Sequence, residues 1–78
     1  MTSHEIQLLI LRALRFGPLN HFEIAVEIDQ APFRVRAELH RLKAERYVTE
    51  RVAPDDHSWK LTERGYRVAS QQDQLELH

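Results

Sequence analysis

Between positions 31 and 46 the chain carries Arg34, Arg36, Arg41, Lys43 and Arg46, set against only Glu38 and Glu45. Guanidinium forks and a flexible ammonium at this density are the chemistry of phosphate and carboxylate recognition. The rest of the sequence runs the other way. Residues 1 to 30 hold two cationic side chains against four anionic ones, and residues 47 to 78 hold four against six, for a net charge of -1. Positive charge is therefore confined to one segment, and a local patch is what phosphate contact needs. The same residues would also suit an ordinary solvated helix face.

Other constellations point to less. The histidines His4, His21, His40, His57 and His78 never stand three to five residues apart, so no helical or loop pair of metal ligands forms and no metal is expected. His57 beside Asp55 and Asp56 could hold a cation weakly, but an exposed polar turn is the plainer reading. Unperturbed imidazoles titrate near pH ~6.5, so binding could still be pH-sensitive. Ser3, Ser58, Ser70 and scattered carboxylates offer no catalytic arrangement in a domain too small for a deep cleft. Gly17 and Gly65 are the two glycines, both at helix boundaries, so there is no phosphate loop. No enzyme activity or cofactor is expected. With no cysteine, neither disulfides nor a cysteine zinc site can brace the fold.

The elements that must position the basic segment follow from spacing. With 78 residues the chain makes a single domain, 1-78, with one small core. Thr2-Ser3-His4-Glu5 has capping-box spacing, and Ile6, Leu9, Ile10, Ala13 and Leu14 recur at helical period before Gly17-Pro18, predicting a helix over 3-16. Asn20 to Glu23 is a second cap. It opens a helix over 21-28 whose buried face is expected to be Phe22, Ala25, Val26 and Ile28. Pro32 suits the first turn of a third helix, 31-46, with Val35, Leu39 and Leu42 facing inward. The period then changes: 47-52 and 58-62 alternate as strands around a tip of about five residues, Ala53 to His57. Alternation puts Trp59 on the side of Leu61, which favours a core role over an interface anchor. Thr62 caps a last helix over 63-73, with Tyr66, Val68 and Ala69 packing back on the core. The first residues lack a basic region before an apolar stretch, and no apolar run nears the ~18 residues that span a bilayer. Cytoplasmic residence without membrane contact is expected.

Leu39-x-x-Leu42, the pair Tyr47-Val48, Trp59, and Leu61-Thr62-x-x-Gly65 together resemble the winged helix-turn-helix transcriptional regulators of bacteria, archaea and phages. The likeness is greatest to the multiple-antibiotic-resistance and phenolic-acid regulator groups (MarR/PadR-like) and covers residues 6 to 70. It implies a mainly α fold with a small antiparallel β-hairpin: a three-helix core, a wing and a C-terminal helix. It further implies that the third helix enters the major groove of double-stranded DNA while the wing follows the backbone. On the helical wheel Phe33, Ala37, His40 and Arg41 then face outward, with Arg34 and Arg36 on the flanks. Arg41 or Arg34 would reach guanine, and Ala37 and Phe33 a thymine methyl. Lys43 on the basic helix and Arg51 and Lys60 on the wing would hold phosphate. The chain departs from that pattern at Arg46, where a glycine usually ends the helix, at the acidic tip Asp55-Asp56, and at Glu38 and Glu45. Spare apolar residues (Leu8, Leu11, Phe16, Phe33, Leu75 and Leu77) suggest a homodimer through the first and last helices. The alternative is a protein-interaction module, such as a phage-type modulator or a subunit of a larger assembly, in which the acidic wing selects a basic partner.

Overall fold

The computed structural model describes residues 1-76, with side chains through Gln71. The side chains of Leu75, Leu77 and His78, on which parts of the dimer and metal readings rested, lie outside the described residues. The elements run α1 (Ser3–Ala13), a 3-10 turn (Leu14–Phe16), α2 (His21–Ile28), α3 (Pro32–Ala44), β1 (Val48–Ala53), β2 (Asp56–Leu61) and α4 (Glu63–Glu76). This is a winged helix-turn-helix arrangement, mainly α with one antiparallel hairpin.

Helices α1, α2 and α4 begin where a side chain satisfies a free amide. The Thr2 hydroxyl accepts from the Glu5 amide at 3.2 Å and opens α1. The helix is shorter than the expected 3-16, because its end tightens into the 3-10 turn, which lets Leu14 stay buried before Gly17 reverses the chain at φ 138°. Asn20 and Glu23 form a full capping box on α2, at 2.8 and 3.0 Å. Ala31 flanks α3 and Pro32 occupies its first turn.

Three expectations about faces need correcting. In α2 the buried residues are Ile24 and Ala25, with Ile28 partly covered, while Phe22 is 60 % and Val26 83 % exposed. Both are two residues from Ile24, a rotation of about 200°, so they fall opposite the face that Ile24 anchors. In α1, Leu11 belongs to the core rather than to spare surface. Tyr66, expected to pack, is 45 % exposed, whereas Ala69 is buried.

Helix α3 ends in a Schellman motif. The Tyr47 amide donates to the Leu42 carbonyl at 2.9 Å and the Arg46 amide to that of Lys43 at 3.0 Å, with Arg46 left-handed at φ 65°. That cap trims the helix from the expected 31-46. The hairpin is also tighter than expected: Ala53 pairs with Asp56, so the tip is Pro54-Asp55, and Asp56 and His57 join the ladder. The register from Val48↔Leu61 to Ala53↔Asp56 places the pairs Val48/Leu61, Glu50/Trp59 and Val52/His57 on one face. Thr49/Lys60 and Arg51/Ser58 take the other.

The hairpin is fastened at two places. Leu19 and Trp59 exchange backbone hydrogen bonds of 3.1 and 2.8 Å, which extends the sheet by a bridge on the side of α2. At its base the Thr62 hydroxyl donates to the Arg46 carbonyl at 2.7 Å and accepts from the Gly65 amide at 3.1 Å. The core under α3 is Ile6, Ile10, Leu14, Ile24, Val35, Leu39, Val48 and Trp59.

Candidate nucleic-acid interface

With Val35, Leu39 and Leu42 buried, helix α3 turns Phe33, Ala37 and His40 to solvent, and its cations divide between two flanks. On the α1 side, Arg34 reaches the Met1 carbonyl at 3.5 Å. Arg41 donates through Nη1 to the Ser3 hydroxyl at 3.1 Å and to Glu38 Oε1 at 3.4 Å. Glu38 itself is 2 % exposed, a buried carboxylate that also takes the Ser3 hydroxyl and the Gln7 amide, the latter at 3.2 Å. Burial pushes its carboxyl up, but the Ser3 and Gln7 bonds and the nearby Arg41 and Arg34 hold it below the usual carboxylate range. Glu38 therefore does not merely dilute the helix's charge; it sets the direction of Arg41, whose side chain remains 65 % exposed.

On the wing side, Lys43 Nζ meets Glu50 Oε1 at 2.8 Å, and Glu50 Oε2 meets His57 Nε2 at 2.5 Å. The Lys43 bond holds the Glu50 carboxyl low against the opposing effect of burial, with His57 assisting. Lys43 is thus a strut between helix and wing. Behind it His40 stands edge-on to Trp59 at 5.2 Å between centroids, and His57 lies tilted over the same indole at 5.6 Å. His21, the first residue of α2, approaches His57 at 6.4 Å. Desolvation, then the charges of Arg36 and His57, push the His21 imidazole below its ordinary value. The Trp59 indole N–H is buried with no hydrogen-bond partner among the described residues.

The expected site residues fall into two groups. Phe33, Arg34, Arg36, Ala37, His40, Arg41 and Lys43 share the exposed part of one helix. Arg51 and Lys60 are exposed on the hairpin, but the register puts them on the face opposite Glu50 and His57, away from the α3 cations. Two features escaped sequence reasoning. Glu38 stands three residues after Val35 and four before Leu42, so an anionic residue inside the apolar arc was a visible signal. The meeting of His21, His40 and His57 had none, because only the tertiary fold brings them together. Among the described residues no group of three or more histidine, cysteine, aspartate or glutamate side chains could hold a metal ion. No helix there is long and apolar enough to cross a membrane.

No protein-family profile and no curated protein sequence matches the chain. Solved structures do. The fold is similar to ZitR of Lactococcus lactis, in a mutant apo form, at a TM-score of 0.85 and 23 % identity over 95 % of this chain and 58 % of that one. It is also similar to the adhesin competence repressor AdcR of Streptococcus pyogenes (0.83, 19 %, covering 91 % and 55 %) and to oxidised MarR of E. coli (0.79, 23 %, covering 88 % and 52 %). These neighbours are winged-helix transcriptional regulators of the MarR family, and they establish the winged-helix fold for this chain. The chain spans about half the length of the solved chains it matches.

Proposed function

We propose that this domain is a double-stranded DNA-binding transcriptional regulator that recognises a specific sequence. The observation that carries the reading is an exposed helix with arginines on both flanks, set beside a hairpin, in a fold shared with transcriptional regulators. In this reading α3 lies in the major groove and presents Phe33, Ala37, His40 and Arg41 to base edges. Arg34 and Arg36 contact phosphates along its flanks. Arg51 and Lys60 hold backbone along the outer face of the wing, and Lys43 holds it from the helix side. The domain works in the cytoplasm as a homodimer, without cofactor, so that two copies of α3 match two half-sites.

The test is fluorescence anisotropy of a labelled random duplex of about 25 base pairs, at ~50 mM and ~200 mM salt. Affinity should fall steeply with salt. Arg34→Ala with Arg36→Ala should weaken binding and lower the salt slope by about two, one for each lost phosphate contact. These positions are chosen because Arg41 also holds Glu38. Absence of binding at the lower salt would overturn the DNA reading. It would favour a protein-interaction module, for which the specific support is the exposed apolar set Phe22, Val26 and Phe33, the last 77 % exposed.

A further inference from the structure

We infer that the cleft between α3 and the hairpin is a proton-dependent phosphate site, in which His21, His40 and His57 receive a backbone phosphate of bound DNA. The inference rests on the DNA-binding reading above and adds a site to it. Three of the chain's five histidines, supplied by α2, α3 and β2, are linked by ring contacts: His40 and His57 each stand against the buried Trp59 indole, and His21 approaches His57. Each remains at least partly accessible, whereas Trp59 behind them is fully buried. The cleft lies beside the wing-side flank of α3, where a duplex seated on that helix would bring its backbone toward the wing.

The charges facing the cleft can be assigned by element. From α2 come His21 and Glu23, the latter occupied with the Asn20 amide at 3.0 Å. From α3 come Arg36, His40 and Lys43, and from β1 Glu50, which is bonded to both Lys43 and His57. From β2 comes His57, with Asp55 and Asp56 beyond it at the exposed tip. With the imidazoles neutral, Arg36 and Lys43 stand against the carboxylates of Glu50 and Glu23. Every proton taken up by a histidine adds one positive charge to this wall.

Linkage fixes the sign. In the free domain desolvation, then the charges of Arg36 and His57, hold the His21 imidazole below its ordinary value. A phosphate in the cleft offsets that repulsion and favours the protonated ring, so DNA binding and proton uptake reinforce each other. Affinity then rises as pH falls, by about tenfold per pH unit for each proton taken up. His4, exposed on α1, serves as the control because it stands outside the cleft.

The experiment is the same duplex titration at constant ionic strength from about pH 8 down to about pH 5.5, a range that brackets free imidazole. The intact domain should tighten at least tenfold on acidification, His4→Gln should follow it, and His21→Gln and His57→Gln should each flatten the profile. A flat profile, or a slope that both cleft variants retain, overturns the inference while leaving salt-dependent DNA binding in place. No binding at any pH removes the inference together with the reading beneath it. Proton NMR titration of the imidazole rings with and without duplex gives a check that needs no variant. The His21 ring should titrate at higher pH when DNA is bound, and an unmoved titration overturns the inference.

Discussion

Arg46 occupies a backbone conformation that disfavours it. A side chain at φ 65° crowds the following carbonyl, at a cost of about 1–2 kcal/mol, and glycine avoids that crowding while bringing its own larger loss of chain entropy. Arg46→Gly is therefore expected to stabilise the domain by about 0.5–1 kcal/mol in urea unfolding, without altering α3. The departure at this residue was visible in the sequence, since a glycine ordinarily stands there. Glu38 is the opposite case, a surface-looking residue that is buried. Glu38→Gln leaves the Ser3, Gln7 and Arg41 donors without their shared anion and should cost about 1–3 kcal/mol near neutral pH. Its carboxyl is depressed in the fold, so its contribution is present above the ordinary carboxylate value and lost as pH falls through the folded one. The variant should thus approach the parent's stability in acid, which thermal melts near pH 7 and about pH 3 would reveal.

At the scale of elements, the join between hairpin and α4 is the least tolerant point. A Cβ placed on Gly65 would lie 2.2 Å from the Tyr47 carbonyl oxygen, which already accepts from Thr62. That oxygen belongs to the backbone at the helix–wing corner and has little room to move. Gly65→Ala should cost about 3 kcal/mol or more, read as a lowered urea midpoint. Element order was legible because each start and stop has a local chemical cause: the Asn20 cap, Pro32 in the first turn of α3, Thr62 before α4. Local chemistry says less about which way a short helix turns. In α2, two apolar pairs compete for the core, and the choice of Ile24 over Phe22 is made by packing against α1 and α3. The hairpin tip misled for a related reason. Asp56 and His57 have turn-like composition, but the ladder gains from including them once Leu19 anchors Trp59.

At the scale of the whole molecule, the near-zero net charge conceals a separation of sign. The α3 flanks are basic, while Glu23 and Glu27 on α2, Asp29 just after it, and Asp55 and Asp56 at the wing tip are acidic and exposed. Such an arrangement orients the domain in the field of a polyanion rather than attracting it from every side. Oligomeric state belongs to this scale too. Leu8 and Leu9 remain partly uncovered on α1, and Phe16 is exposed just beyond it. Light scattering after gel filtration should give twice the chain mass, and Leu8→Glu should return the monomer; a monomeric parent would remove the homodimer from the proposed function. The apolar pattern of α1 could be read from sequence, but not which of its residues the core would claim. Leu11 went inward and Leu8 stayed at the rim.

The chain's one tryptophan is in ring contact with two imidazoles. Full burial should shift its emission to the blue, and an imidazolium beside an excited indole quenches it. Protonation of the cleft would therefore dim the domain's intrinsic fluorescence, whereas loosening of the wing would shift the emission toward red. The molecule thus contains its own optical reporter, able to distinguish a change of charge from a change of shape at the same place without any attached dye.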